Sequence, residues 1–134
     1  MKVDFAFVCD YADPGNKLGA LGIGFDTIYA PQVPCLHSSF HLVVRVRSEA
    51  AEAGPKDVEV ALRDAEGKDV IPPLPVALEV RQPEPGAEEA TATLVVGFAA
   101  VLFPAYGQYT LHVAIQGNEM VRIPIRVAQP PATG

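Results

Sequence analysis

Apolar and polar residues alternate along most of this chain, with the two-residue period of a half-buried β-strand. In each alternating stretch one face is apolar and the other is polar or mixed, as an antiparallel sheet with one solvated face requires. Five stretches show this pattern: residues 40–47, 57–63, 76–81, 109–116 and 121–127. Pro124 lacks a backbone N–H, so the last of these strands is predicted to be an edge strand or to be bulged there.

Two further strands are predicted near the start of the chain. The first lies near residues 3–9, with Phe5 and Phe7 facing inward. The second runs near residues 18–29, with three inward side chains: Leu21, Ile23 and Phe25.

Turn-forming residues separate the apolar runs. Gly, Pro, Asn and Asp at these points supply the backbone angles that turns need. The turn signals lie at residues 13–16, 54–55, 65–68, 83–86 and 116–119, and the last is the strongest hairpin signal. The one helix-like stretch, residues 48–53, is too short for more than a single turn.

These elements predict an all-β fold, an antiparallel two-sheet sandwich of about seven to nine strands, immunoglobulin-like. The 134 residues fit one domain with one core. We expect that domain to cover residues 1–128, followed by a flexible tail at 129–134.

The segment at residues 91–103 differs from the other strands because both of its faces are apolar. One side would carry Leu94, Val96, Phe98 and Leu102, and the other Val95, Ala99, Val101 and Phe103. Such a strand is either covered on both sides or exposes an apolar stripe that a partner covers. We therefore predict this segment as the self-association surface.

Charge and composition exclude some partners. The chain has 16 acidic and 10 basic residues, a net charge of −6, and no basic cluster, so neither nucleic acid nor an anionic membrane is an expected partner. No stretch approaches the ~18 apolar residues of a membrane span, and the start lacks a secretory signal, which predicts the cytoplasm. The two cysteines, Cys9 and Cys35, are expected to be reduced and at least partly buried, with a bridge between them left open.

The most suggestive chemical cluster is Cys35, His37 and His41, with Cys9 as a candidate fourth ligand. Thiolate and imidazole are good Zn²⁺ ligands. The short spacings place these groups at a loop-to-strand junction, and His41 would lie on the polar face of its strand. We predict ordinary loop and surface residues, no metal and no cofactor, with a metal- or small-ligand site on this cluster as the alternative.

No motif predicts catalysis. Gly19, Gly22 and Gly24 have the reverse of the dinucleotide-binding spacing and precede a strand, which favours bending or close backbone approach. Ser38 follows His37 directly, but neighbours on an extended chain point apart, and no nucleophile elbow is present. We expect no enzymatic activity, and a hydrolase with an unrecognised site remains a further alternative.

Two resemblances extend this interpretation. The run Gly107-Gln108-Tyr109-Thr110-Leu111-His112-Val113 resembles the Gly-x-Tyr-x-Cys-x-Val run of immunoglobulin-like domains, which implies that Tyr109 makes a corner hydrogen bond. Leu111 replaces the cysteine and there is no Trp, so the antibody-type core is absent. Residues 5–12 and 17–28, with Phe103-Pro104 and Gly107-Gln108-Tyr109, resemble a family of small bacterial proteins of unknown function. That resemblance implies a cytoplasmic bacterial β-domain and no known activity.

The function expected from the sequence is a non-catalytic binding or assembly module that acts through protein–protein contacts. A protein partner or a second copy would bury an apolar strand face or pair with an edge strand.

Overall fold

The computed structural model describes residues 1–132, and these form ten strands, one turn of 3₁₀ helix at Ala50–Glu52 and no α-helix. The strands are β1 (Lys2–Cys9), β2 (Tyr11–Asp13), β3 (Gly19–Leu21), β4 (Thr27–Tyr29), β5 (Cys35–Glu49), β6 (Gly54–Arg63), β7 (Leu74–Val80), β8 (Glu89–Phe103), β9 (Gly107–Ile115) and β10 (Asn118–Ala128). The all-β prediction is confirmed. Residues 133–134, the end of the predicted tail, lie outside the described residues, and residues 129–132 form no regular element.

The strands form three sheets. One has the order β1-β5-β8, the second has the order β4-β10-β9-β6-β7, and β2 pairs with β3 as a small hairpin. All pairings are antiparallel except that of β4 with β10. At Pro124 strand β10 is paired with β9 on one side, while β4 reaches only Arg126–Ala128 on the other, which agrees with the predicted local edge.

The two larger sheets share one buried apolar cluster. Phe40 and Val44 come from the three-stranded sheet, and Val60 and Leu111 come from the five-stranded sheet. Burial of each such side chain stabilises the fold by about 1.5–3 kcal/mol. The rings of Phe40 and Phe98 stack with centroids 4.7 Å apart, which ties β5 to β8 inside this core.

The inward orientation predicted for Phe5 and Phe7 is wrong. The pairing of β1 with β5 shifts register between Val3 and Phe5, so Asp4 is an extra residue and the alternation changes phase. Val8 consequently enters the main core, and Phe5 and Phe7 stack on each other on the opposite face, 5.8 Å apart.

The single strand predicted at residues 18–29 is also wrong, because the segment forms two short strands, β3 and β4. Together with β2, which was not predicted, this gives ten strands in place of seven to nine. Gly22 and Gly24 have φ values of +66° and +78°, in the region that glycine enters freely, and they turn the chain between β3 and β4. Leu21 and Ile23 are therefore exposed, at 69% and 59%, instead of facing inward. Phe25 does pack against the core.

Local hydrogen bonds confirm several sequence predictions. Gln116 and Gly117 form a two-residue turn with φ values of +52° and +80°, and β9 and β10 pair on either side of it. The hydroxyl of Tyr109 donates to the carbonyl of Ala105 at 2.6 Å and accepts from its N–H at 3.1 Å, which is the predicted corner hydrogen bond.

Within residues 1–132, no helix has the length and apolar character needed to cross a bilayer.

Candidate functional site

The cluster that the sequence offered as an alternative metal or small-ligand site, Cys35, His37 and His41, is divided between the two faces of β5. Alternation breaks at Ser38 and Ser39, which are both exposed. The ladder with β8 skips Ser38 and Ala100 at this point, and Ala100 has a φ of +55°. As a result His37 turns towards the core, beside the rings of Phe25 and Phe40.

His41 lies on the opposite face of β5. Its ring meets Tyr11 edge-on at 5.3 Å, and its carbonyl accepts a weak hydrogen bond from Cys9 Sγ. Burial lowers the pKa of His37 and raises the pKa of the Cys9 thiol. Within residues 1–132 no three His, Cys, Asp or Glu side chains converge as metal ligands, and both thiols are free. Cys35, His37 and His41 are therefore not brought together as the alternative interpretation required.

The glycine motif has a steric explanation. A Cβ on Gly22 would overlap the carboxylate of Asp10, so a larger residue would displace that exposed side chain and would also adopt an unfavourable φ of +66°. This close approach agrees with the predicted bending.

Strand β8 is an edge strand of unusual length. It pairs with β5 from Glu89 to Phe103, and no backbone partner among the described residues lies on its other side. Residues 90–103 contain no charged residue and no proline. Most edge strands are protected by charges, proline or short length, so β8 offers an open template for another strand.

The other edge nearby is β7, the last strand of the five-stranded sheet. It has seven residues and carries Pro75 and Glu79. A groove of about 1040 Å³ lies between β7 and residues 91–95 of β8, and we call it the β7–β8 groove.

The β7–β8 groove has an apolar floor and a cationic rim. Leu78 and Leu94 extend the main core into it and are almost fully buried. Its charged lining comprises one carboxylate, on Glu79, and three cationic side chains: Lys17, Arg45 and Arg81. This local excess of positive charge contrasts with the net charge of −6 on the whole chain.

The charge of Arg45 is only partly compensated. Asp4 accepts two hydrogen bonds from Arg47, at 3.0 and 2.8 Å, and the same carboxylate lies 3.3 Å from Arg45 Nε. These hydrogen bonds from Arg47 hold the pKa of Asp4 below its usual value. Nε of Arg45 is buried without a hydrogen-bond partner among the described residues. One carboxylate thus serves two guanidinium groups beside the groove.

The far end of β8 presents an apolar pair to solvent. Leu36 and Leu102 lie opposite each other in the ladder and are 62% and 51% exposed. The irregularity at Ala100 moves Leu102 off the side predicted for it, while Val101 and Phe103 turn into the core. Both faces of the segment are therefore apolar, as predicted, but its residues divide differently between them.

A polar constellation that the sequence analysis missed lies on the outer face of the five-stranded sheet. Glu119 accepts hydrogen bonds from Arg122 at 2.9 Å and contacts His112 Nδ1 at 2.5 Å. Those contacts, Arg122 first, lower the pKa of Glu119 to about 2. The shallow pocket around them is lined without Ser, Thr or Cys, so it holds no nucleophile of those types. Two features of the sequence could have indicated this cluster: the hairpin, which pairs His112 with Arg122, and the three-residue spacing between Glu119 and Arg122.

Comparison with known proteins gives a family and no activity. Residues 4–128 match the model of a family described as "Family of unknown function (DUF6941)". No curated protein matches the chain. One solved structure, a beta-glucosidase from Listeria innocua in complex with gluconolactone, is similar over 70% of this chain, with 14% identity and a TM-score of 0.47. The chain spans only 15% of that structure's length, and this similarity carries no argument about fold or activity.

Proposed function

Because the chain belongs to the Family of unknown function (DUF6941), which supplies no activity to inherit, we propose from its geometry that it is a non-catalytic binding or assembly module. It pairs the open edge of β8 with an extended segment of another protein. One observation carries this proposal. β8 is an edge strand of 15 residues, and its residues 90–103 contain no charge and no proline. Main-chain hydrogen bonds along such an edge supply affinity, and neighbouring pockets supply specificity.

The anchoring of β8 in the core supports this role. Leu94, Phe98, Val101 and Phe103 are buried in the core and hold the strand in place. A preformed edge costs little ordering entropy when a second strand adds to it. The exposed Leu36–Leu102 pair adds apolar area that an added chain covers.

The architecture proposed with this function is an immunoglobulin-like sandwich. Three observations support it: the two strand orders, the parallel pairing of β4 with β10, and the Tyr109 corner. The bacterial cytoplasm is part of the same proposal and rests on the family resemblance in the sequence. A solution structure in which the two larger sheets do not stack face to face would contradict this architecture.

Proline substitutions test strand addition without changing charge. Successive residues of a strand point their N–H groups to opposite sides, and proline is tolerated where its missing N–H faces an open edge. Of Ala92→Pro and Thr93→Pro, the variant that keeps the wild-type circular dichroism is therefore the one that removes a donor from the open edge. We expect that variant to lose the proteins that the wild-type chain captures from its native host extract.

A charge on the same edge is the second test, should both proline variants unfold. Thr93→Glu places a carboxylate on the exposed side of β8, and Gln108→Glu places one on the interior strand β9 as a matched control. Capture should be lost for Thr93→Glu and kept for Gln108→Glu. Equal capture by all variants, or no capture by the wild-type chain, would contradict the proposed function.

A further inference from the structure

We propose that the segment received by the β7–β8 groove is an extended stretch of a partner protein that carries carboxylate side chains. This inference rests on the proposed function and adds the chemistry of the partner. The groove is bounded by two strand edges, and its rim holds three cations against one carboxylate.

Length and shape favour a strand as the occupant. Five residues of β8, 91–95, form one wall of the groove, which corresponds to about 16 Å at ~3.3 Å per residue. The opposite wall is β7, whose outer edge has no ladder partner among residues 1–132. An extended chain can pair with the free N–H and C=O groups of β8 and place alternate side chains over Leu78 and Leu94, while β7 bounds the groove without pairing.

The cationic side chains around the β7–β8 groove favour an occupant with acidic side chains. Arg81 is exposed and forms no ion pair within residues 1–132, and the same holds for Lys17, which also lines the groove. Arg45 shares its carboxylate with Arg47, so it retains capacity for a second acid. A carboxylate of the occupant would complete this set, whereas a basic segment would meet like charge.

The same charges disfavour a second copy of this chain in the groove. A symmetric β8–β8 pair centred on residues 91–95 would bring the cationic rim of one copy beside that of the other. An acidic segment of another protein avoids this repulsion and is therefore the proposed occupant.

The probes are capped peptides of about seven residues, a usual strand length, in which threonine alternates with glutamate, serine or lysine. Binding to the full chain is measured by calorimetry, and backbone protection of residues 91–95 by amide hydrogen exchange. We expect the glutamate peptide to bind at least about tenfold more tightly than the lysine peptide and to protect β8 amides, with the serine peptide between them.

Charge reversal assigns the selection to the groove. Arg81→Glu should abolish or invert the preference for glutamate, and Arg126→Glu, an exposed arginine on β10, should leave it unchanged. A glutamate peptide interrupted by proline, and free glutarate at the same carboxylate concentration, control for diffuse charge attraction. Both should bind weakly and leave β8 amides unprotected.

Each other outcome has a distinct meaning. If all three alternating peptides bind equally and protect β8, strand addition stands and acidic selection is overturned. If glutarate or the interrupted peptide binds as well as the glutamate peptide, the strand-shaped site is overturned. If no peptide protects β8, both this inference and the proposed function fail. A dimer through β8 in sedimentation of the chain alone would replace the foreign segment with a second copy.

Discussion

The two strand edges that face the β7–β8 groove differ in how they are protected. β7 is seven residues long and carries Pro75 and Glu79, whereas β8 is fifteen residues long and carries its only charge at Glu89. Proline and charge on an edge prevent pairing with foreign strands. At this groove, therefore, the edge of the five-stranded sheet is protected against pairing and the edge of the three-stranded sheet is not.

Both strands are anchored in the core in similar proportion to their length, so protection and length are what distinguish the two edges. β8 contributes four buried side chains to the core, and β7 contributes Leu78 and Val80. A strand that is well anchored and unprotected presents its backbone groups in fixed positions. This combination is what a binding edge needs, and an accidental edge does not require it.

The largest expected effect concerns the anchoring of β8. Phe98→Ala removes a ring that stacks on Phe40 in the core, and it should lower the free energy of unfolding by about 3–5 kcal/mol. Leu102→Ala, on the exposed face of the same strand, should change it by about 0.5 kcal/mol or less. Urea denaturation measures both, and similar losses would mean that β8 is not held by its inner face.

The sequence predicted strands where alternation is uninterrupted, and it failed where one residue changes the phase. The extra residue Asp4 exchanged the two faces of β1, and the irregularity at Ser38 and Ala100 separated His37 from His41. One extra residue moves every following side chain to the other face of the sheet. The alternation pattern around the break does not show that this shift has occurred, so it cannot predict which face the later side chains occupy.

The candidate site lay further from prediction than the fold did. Segment 91–103 was singled out because both faces are apolar, and that choice rested on β8 alone. The cations of the groove come from three separate segments, at Lys17, Arg45 and Arg81, and only the sheet order places them around one opening. The spacing of these cations along the sequence cannot show that they meet, because pairing between distant strands brings them together.

A smaller effect is expected at the corner where β8 leaves its sheet. Tyr109→Phe removes the hydroxyl that bonds both backbone groups of Ala105, and we expect a loss of about 1 kcal/mol. Exchange of the amide of Ala105 should accelerate, while residues 91–95 keep their exchange rates. A loss of protection along the whole of β8 would show that the corner, and not the core, fixes this edge.

Exchanging the protection of the two edges tests the comparison directly. Pro75→Val combined with Glu79→Thr should expose β7 to foreign strands, and Thr93→Glu should close β8. Each should change the free energy of unfolding by less than about 1 kcal/mol, because the affected side chains are exposed. Sedimentation at rising concentration should show more association for the first variant than for the parent and no more for the second. Equal association of all three proteins would show that proline and charge do not control whether these edges pair with other strands.

The smallest effect extends the comparison from edges to faces. The sheet that contains β7 also carries paired charge on its outer face, where Arg122 and His112 hold the pKa of Glu119 at about 2. A lowered carboxylate pKa stabilises the fold above the ordinary value of 4.5, and that contribution is lost as the pH falls through about 2. His112→Gln should raise the pKa of Glu119 but leave it below 4.5, because Arg122 remains bonded.

Carbon-detected NMR titration of the Glu119 carboxyl measures this shift, and Arg126→Gln, on the same strand but seven residues away, serves as the control. The control should leave the pKa of Glu119 near 2, since screening and distance weaken its effect. A Glu119 that titrates at its ordinary value would mean that the charges on this face are solvated singly. The outer face of the five-stranded sheet would then lack a charge network, although it carries charged residues, which residues 90–103 of β8 lack. The difference between a protected and an unprotected region of the domain would hold only for the edges of β7 and β8.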